Sequence, residues 1–168
     1  KIHYMKKIFL LILLPFQLAA QNIPLSAFKN YPFPTNLCTA AKGAKIAWAL
    51  DEQGKRNVYV AEGPTYKARK LTNFLNNDGQ EITSLSISED GKWVVFVRGG
   101  EHSGNWDTGL PVNTGFEMEP FKVQVASIPV DGGETKYLSE GDYPLISPDG
   151  KTVAFIKAGQ VWSAPVDG

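Results

Sequence analysis

The sequence has a single cysteine, no excess of charge and no long apolar helix, and each of these absences narrows what the protein can be. Lys and Arg together number 17, as do Asp and Glu, so the net charge is zero and we expect no nucleic-acid partner. With Cys38 alone, no disulfide can form within the chain. Glycine and proline are plentiful, at 16 and 11 residues, and no long segment combines helical periodicity with good helix formers. The 168 residues are therefore predicted to form many short strands.

A catalytic serine or cysteine site is also missing. No Gly-x-Ser-x-Gly occurs, the motif that exposes a nucleophilic serine at a strand-to-helix turn, and in GEHSG at 100–104 the serine stands one place late. The only histidines are His3 and His102, and the adjacency of His102 and Ser103 in sequence does not make a triad. Without a histidine partner, Cys38 is interpreted as a small buried hydrophobe. The sequence therefore predicts no catalytic residue and no cofactor.

The N-terminal residues have the layout of a secretory signal peptide. Within MKKIFLLILLPFQLAAQ at 5–21, two lysines precede an apolar stretch at 8–14, and small residues follow at Ala19 and Ala20. The apolar stretch is too short to span a bilayer of about 30 Å as a helix, which favours cleavage over an uncleaved anchor. We assign residues 1–20 to upstream residues and this leader. The mature protein is expected to be periplasmic or secreted, with no stable membrane anchor.

A turn-and-strand phrase occurs three times in the rest of the chain. SEDGKWVVFVRGG at 88–100 and SPDGKTVAFIKAG at 147–159 share a serine, Asp-Gly-Lys, a valine, a phenylalanine and a closing glycine. AAKGAKIAWALDE at 40–52 is a weaker copy. The three copies begin at residues 40, 88 and 147, and self-similarity at this spacing is typical of propellers and solenoids.

The second half of the unit also recurs. VASIPVDGG at 125–133 matches VWSAPVDG at 161–168, and NVYVAEGP at 57–64 holds the same place in the first copy. ARKLT at 68–72 and TKYLS at 135–139 follow in the first two copies, which makes each unit four short strands. The third copy has no such counterpart, so we expect the chain to stop partway through a unit.

The repeated phrase favours a β-propeller. Asp-Gly between strands is expected to supply the positive φ angles of a tight hairpin, because glycine has no Cβ to clash. The runs at 93–97 and 152–156 are apolar on both faces, as strands are when their sheet is covered on both sides. Four-stranded sheets between like sheets form a propeller, whereas a plain β-sandwich has no reason to repeat this signature. We therefore predict an all-β fold: a partial propeller of about three four-stranded blades over residues 21–168.

These repeats resemble two groups of propellers. The segments VRGGEHSGNW and VQVASIPVDGGETKYLSEGDYPLISPDGKTVAFIKAGQVWSAPVDG are similar to the N-terminal propeller of secreted bacterial peptidases of the prolyl oligopeptidase family, especially the dipeptidyl and acylaminoacyl branch. The Ser-Pro-Asp-Gly-Lys phrase also occurs in TolB-type periplasmic propellers. The peptidase resemblance implies a propeller that caps an α/β-hydrolase domain with a Ser-Asp-His triad and admits short peptides. None of those catalytic positions is present in this chain.

One insertion carries the candidate binding residues. The stretch 100–122 is rich in Gly, Pro, Asn and Asp without a clear period, and long ordered loops on rigid scaffolds are where binding residues concentrate. Glu117 and Glu119 are two apart, so on an extended stretch both carboxylates point the same way. The resemblance implies that such a pair holds the free amino group of a peptide; two solvated loop glutamates are the plainer interpretation, which we prefer from sequence alone. Asp78 and Asp107 lack the neighbours of a metal site.

Three functional hypotheses follow. In the first, the chain is the N-terminal propeller part of an exported serine peptidase, with peptides as its substrates and the hydrolase domain outside this chain. In the second, it is a TolB-like periplasmic propeller that binds proteins and has no enzymatic activity. The third is a sugar- or lyase-type propeller enzyme with its site on the central channel. Made alone, residues 21–168 are expected to expose strand edges and to aggregate.

Overall fold

The computed structural model describes residues 23–28, 31–99 and 122–168, and these residues are almost entirely β-strand. A helix of one turn, α1 (Leu25–Phe28), precedes the strands. The strands of the described residues are β1 (Phe33–Thr39), β2 (Lys45–Glu52), β3 (Lys55–Glu62), β4 (Arg69–Lys70), β5 (Ile82–Ile87), β6 (Trp93–Arg98), β7 (Gln124–Pro129), β8 (Lys136–Glu140), β9 (Asp142–Ile146), β10 (Thr152–Lys157) and β11 (Gln160–Pro165).

The strands form three antiparallel sheets in chain order. Sheet A has the order β1-β2-β3-β4, sheet B the order β5-β6-β7-β8, and sheet C the order β9-β10-β11. Strand β5 contacts β1 and β2, and β9 contacts β5 and β6, so sheet B lies between the other two. Successive sheets stacked through their first strands are the blades of a propeller. The predicted all-β propeller fold is confirmed, including β4 and β8 in the segments ARKLT and TKYLS.

Sheet B is covered on both faces, as its apolar sequence predicts. All four side chains at 94–97 are fully buried, although alternate residues of a strand point to opposite faces. Phe96 belongs to the core shared with sheet A, whereas Val95 and Val97 belong to the core shared with sheet C. The hydrophobic cores of the described residues therefore lie between consecutive sheets.

Sheet C is covered on one face only by the described residues. Val153 and Phe155 point toward sheet B and are buried, whereas Ala154 is half-buried and Ile156 is 37% exposed. The prediction that the run at 152–156 is covered on both faces therefore holds for one face among the described residues.

The Ser-x-Asp-Gly-Lys turn of sheet B is closed by its own side chains. Ser88 Oγ donates to Asp90 Oδ1 at 2.7 Å and accepts the amides of Lys92 and Trp93 at 3.1 and 3.0 Å. The expected role of Asp-Gly is corrected here, because only Gly91 has a positive φ, 70°. Asp90 instead accepts the amide two residues on, at 3.1 Å, which is the turn that an aspartate side chain favours.

The same bonds recur in sheet C and are incomplete in sheet A. Ser147 Oγ donates to Asp149 Oδ1 at 2.6 Å and accepts the amide of Thr152 at 3.0 Å. In sheet A, Ala40 occupies the position of the serine. Only the glycine of the turn is kept, as Gly43, with a φ of 84°. The weak copy therefore keeps the backbone requirement of the turn and lacks its side-chain bonds.

Consecutive turns lie against one another, and we call this side of the molecule the turn face (40–44, 88–92 and 147–151). A Cβ on Gly91 would lie 3.4 Å from the carbonyl oxygen of Lys42. The amide of Lys42 donates to a carbonyl of the next turn at 2.9 Å. A Cβ on Gly150 would lie 3.7 Å from that of Ser88. Successive turns are thus in van der Waals contact on this face, and the positive φ angles of Gly91 and Gly150, 70° and 71°, are what favours glycine there.

The first strand of each sheet carries a β-bulge, which the sequence analysis did not predict. The ladder register shifts within β1, β5 and β9, and each strand there holds a non-glycine residue with positive φ: Asn36 at 53°, Ser84 at 48° and Tyr143 at 52°. Asn36 Nδ2 also donates to the carbonyl of Ile82 in the next sheet at 3.2 Å. Bulges bend and twist a strand, and these recur at equivalent places.

The predicted leader at 1–20 lies outside the described residues. Across the described ranges, which omit that segment, no helix has the length and apolar character needed to cross a membrane.

Candidate functional site on the loop face

The side opposite the turn face carries the longer connections, and we call it the loop face. It comprises the β2–β3 turn at Gln53 and Gly54, the β4–β5 loop at 71–81, and the ends of the β6–β7 connection at Gly99 and Lys122. The first two parts touch, since a Cβ on Gly54 would lie 2.2 Å from the Asn77 side chain. The loop therefore crosses directly over the hairpin of sheet A.

Arg98, the last residue of β6, anchors this loop. Its Nη2 lies 2.5 Å from Asp78 Oδ2, and its guanidinium carbon lies 3.9 Å from the centroid of the Phe74 ring. The side chain is only 12% exposed, so the carboxylate and the aromatic face compensate for the lost hydration of the charge. Asp78 also accepts the amide of Gln80 at 3.0 Å. The ion pair thus ties the loop to sheet B.

Asn57 in β3 holds the same loop from sheet A. It is buried, its Oδ1 accepts the Phe74 amide at 2.7 Å and the Thr72 hydroxyl at 3.0 Å, and its Nδ2 donates to the Phe74 carbonyl at 3.0 Å. The Thr72 hydroxyl in turn accepts the amide of Val58 at 2.9 Å. A buried amide with its bonds satisfied favours one geometry. The loop is therefore a fixed platform.

One end of the β6–β7 connection is bonded to this platform, and the other end is paired with β8. The amide of Gly99 donates to the carbonyl of Glu81 at 3.1 Å. Gly99 has a φ of 108°, and a Cβ here would lie 2.3 Å from the carbonyl oxygen of Lys122, so a larger residue would require the chain to move. Lys122 Nζ lies 2.7 Å from Glu140 Oε1 and holds the pKa of Glu140 below its ordinary value.

Two adjoining depressions open on the loop face. The larger, of about 670 Å³, is lined by Ser26, Tyr31, Phe33, Asp51, Gln53, Gly54 and Asn77. The smaller, of about 300 Å³, shares Phe33 and Asp51 with it. Asp51 lies 3.3 Å from Arg56 and accepts the amide of Gly54 at 2.5 Å. The charge of Asp51 is already paired, and exposed aromatic rings lie beside it. Such a depression suits a polypeptide segment, with its mixed polar and apolar groups, better than a bare cation.

Cys38 on β1 is a packing group. It is half-buried against the core between sheets A and B. Burial raises the pKa of its thiol to about 11. Because the thiolate is the nucleophilic form of cysteine, this thiol is unreactive at neutral pH.

Most of the residues singled out from the sequence lie outside the described part of the chain. These are His102, Ser103, Asp107, Glu117 and Glu119. Asp78 lies inside it, and its carboxylate faces Arg98. Within 23–28, 31–99 and 122–168, no three His, Cys, Asp or Glu side chains are grouped as metal ligands.

The sequence analysis missed the residues that fix the loop face. Asn57 stands directly before an apolar strand segment. An amide side chain at that place was the signal available from the sequence. Phe74 and Arg98 lie far apart in sequence, and no local pattern predicts that the Phe74 ring packs against the Arg98 guanidinium.

Three antiparallel sheets stacked through their first strands define the class: the described chain is part of a β-propeller. TolB from Acinetobacter baumannii matches it with 19% identity over 83% of this chain and 31% of that chain, at a TM-score of 0.53. An oligogalacturonate lyase in complex with manganese matches with 15% identity over 80% and 35%, at 0.52. A prolyl endopeptidase matches with 15% identity over 77% and 18%, at 0.50.

These similarities concern the fold. The chain spans at most 35% of the lyase, 31% of TolB and 18% of the prolyl endopeptidase. No family model matches the sequence, and no characterised protein matches it by sequence. The three structures come from the three functional classes considered above, so the fold alone does not choose among them.

Proposed function

We propose that the chain is the N-terminal propeller of an exported serine peptidase of the prolyl oligopeptidase family, and that it limits and orients peptides for a downstream α/β-hydrolase domain. The observation that carries this proposal is the anchored base of the β6–β7 connection. Arg98 and Gly99 hold one end through bonds to the β4–β5 loop, and Lys122 holds the other through its ion pair with Glu140 of β8. A rigid base under a long connection is how scaffolds present binding loops.

Within this function, Glu117 and Glu119 bind the free amino group of the peptide. Two carboxylates two residues apart on an extended stretch suit an ammonium ion. The supporting observation is their place in the connection whose two ends are fixed on the loop face.

A TolB-like protein-binding propeller without chemistry is the second candidate. TolB has the highest identity of the three structures compared, 19%, and the match covers 83% of this chain. On this alternative the loop-face depression binds a segment of another protein, and no hydrolase domain belongs to the gene.

The test begins with the coding sequence beyond Gly168, where the peptidase proposal requires a Gly-x-Ser-x-Gly within a hydrolase domain. The product of that longer gene should cleave short peptides and lose activity with a serine-directed inhibitor, whereas the present chain alone should cleave none. Glu117→Gln and Glu119→Gln should each raise KM for peptides with a free N-terminus and leave N-blocked peptides unchanged.

Glu89→Gln is the matched control, because Glu89 is an exposed glutamate on the turn face. Equal kinetics of both loop variants toward free and blocked peptides would return Glu117 and Glu119 to the role of solvated residues. A longer gene without a hydrolase domain, whose product binds periplasmic proteins, would decide for the TolB-like alternative.

Export is part of the proposal. Expressed with its own leader in a Gram-negative host, the mature protein should begin near Gln21 and be recovered outside the cytoplasm. N-terminal sequencing that finds Met5 on a cytoplasmic product would contradict export.

A further inference from the structure

A separate depression lies between sheets A and B, beside the turn face and at the opposite end of the strands from the loop face. We call it the A–B depression. Its volume is about 500 Å³, and it is formed by the start of β2, the end of β3, the β3–β4 connection, and the residue that follows β7. Its apolar walls are Val60, Ala61, Ala68 and Val130. The site is therefore built from two consecutive sheets of the described chain.

The charged side chains of the A–B depression are mostly cations. Lys45, Lys67 and Arg69 line it together with a single carboxylate, that of Glu62. Three positive charges against one negative charge leave an excess of two positive charges. The chain as a whole has a net charge of zero, so this excess is a local feature of the depression.

The one carboxylate does not neutralise these cations. Glu62 Oε1 lies 3.9 Å from Lys45 Nζ, and the Glu62 side chain is 61% exposed, so water screens this attraction. Within the part of the chain that the structure describes, no carboxylate forms an ion pair with Lys67 or Arg69. Two of the three cations are therefore available to a ligand of opposite charge.

Two of the cations are held in place by the packing of sheets A and B. Arg69 Nη2 donates to the carbonyl of Val130, and Nη1 lies 3.8 Å from the position of a Cβ on Gly132. A guanidinium has several N–H donors, so this bond leaves others for a ligand. The Lys45 side chain is only 16% exposed, and its Cδ lies 3.0 Å from the position of a Cβ on Gly91. Cations that are already ordered lose less conformational entropy when a ligand binds.

We propose that the A–B depression binds a small organic dianion, either a dicarboxylate or a phosphate monoester. Arginine and lysine bind carboxylate and phosphate oxygens through charge-assisted hydrogen bonds, and two negative charges match the excess of two positive charges. The volume lies within the range of about 300–1,000 Å³ that is typical of small-molecule sites, and the apolar walls cover the carbon skeleton of the ligand. The inference rests on the charges and shape of this depression and not on the proposed peptidase function.

Titration calorimetry of the full chain at low ionic strength tests this inference, with succinate and inorganic phosphate as the probes. At least one probe should bind saturably with a dissociation constant below about 1 mM, and added sodium chloride should weaken its binding. Tighter binding of succinate assigns the site to dicarboxylates, and tighter binding of phosphate assigns it to phosphate monoesters. Succinamide, which has the skeleton of succinate without its charges, should not bind. Saturable binding of neither probe, or equal binding of succinamide and succinate, overturns the inference.

Variants with effects of opposite sign give the sharper result. Lys67→Gln and Arg69→Gln should each weaken binding by about tenfold or more, as expected for a lost hydrogen bond to a charged group. Lys67 is exposed, so its replacement tests the site even if Arg69→Gln disturbs the contact with Val130. Glu62→Gln should tighten binding, because it removes the opposing carboxylate.

Lys55→Gln is the matched control, because Lys55 is an exposed lysine at the loop-face end of β3, and this variant should bind as the unaltered chain does. Equal losses for Lys67→Gln and Lys55→Gln would show a response to overall charge and would overturn the site. Weaker binding by Glu62→Gln would overturn it as well.

Discussion

Val130 and Val166 hold the same position in sheets B and C. The amide of Val130 donates to the carbonyl of Lys92 at 2.7 Å, and the amide of Val166 donates to the carbonyl of Lys151 at 2.8 Å. Both valines are buried to the same extent, 4% exposed. Each therefore joins the Pro-Val-Asp-Gly turn at the end of one strand to the Asp-Gly-Lys turn at the start of another, which explains why the two phrases recur together.

The carbonyls of the same two valines link consecutive sheets. Arg69 of sheet A donates to the carbonyl of Val130, and Ser127 Oγ of sheet B donates to the carbonyl of Val166 at 2.5 Å. Side chains of different types thus meet the same backbone acceptor in successive interfaces. The acceptor is fixed by the repeat, whereas the donor varies with the sequence of the preceding sheet.

Replacing Ser127 by alanine should lower the free energy of unfolding by about 1–2 kcal/mol, because a buried carbonyl would lose its side-chain donor. The equivalent Ser163 is exposed, so Ser163→Ala should change it by less than about 0.5 kcal/mol. Urea unfolding of both variants measures this difference. Equal losses for the two serines would mean that the Ser127 bond is not formed.

Acid should weaken the turns of sheets B and C. The hydroxyl of Ser88 lowers the pKa of Asp90, and that of Ser147 lowers the pKa of Asp149, both from the ordinary value of 3.8. A folded pKa below the unfolded one contributes stability that is complete above about pH 4 and is lost as pH falls through the folded value. Ser147→Ala should move the pKa of Asp149 back toward 3.8, as carboxyl NMR titration would show. An unmoved pKa would exclude the hydroxyl as its cause.

Removing the Arg98 side chain should be the most damaging change on the loop face. Arg98→Ala leaves the Asp78 carboxylate partly buried without its cation, which should cost about 3 kcal/mol of unfolding free energy. Arg56→Ala breaks the pair with Asp51, whose two side chains are 26% and 28% exposed, and should cost less than about 1 kcal/mol. Chemical denaturation of the two variants compares them. A loss for Arg98→Ala no greater than that for Arg56→Ala would contradict the anchoring role.

The blade pattern could be predicted from the sequence because its determinants are local. Gly91 and Gly150 mark the turns, and the run at 94–97 is apolar on both faces, so the central, doubly covered sheet follows from short stretches alone. The second halves of the units follow from the Pro-Val-Asp-Gly phrase in the same way.

The bulges and the contacts of the loop face could not be predicted, because they depend on contacts between residues distant in sequence. The bulge at Ser84 has no glycine to mark it, and the ring of Phe74 meets Arg98 only after sheets A and B have packed. Asp90 was assigned a positive φ with Gly91, although its side chain serves the turn as an acceptor. The candidate pair Glu117 and Glu119 remains a prediction, because both lie outside the described residues.

Engineered disulfides between the turns test the central claim, the stacking of consecutive sheets, most directly. The Ala40 Cβ lies 3.5 Å from an ideal Cβ on Gly91, and a Cβ on Gly150 would lie 3.7 Å from that of Ser88, both suitable for a disulfide. In a Cys38→Ala background, cysteine pairs at 40 with 91 and at 88 with 150 should each oxidise within one chain, despite about 1 kcal/mol of strain at each former glycine. The pair at 40 with 150, two sheets apart, should stay reduced. Cross-linking at 40 with 150, or none at the two neighbouring pairs, in mass spectra of the non-reduced protein would contradict the stacked-blade account.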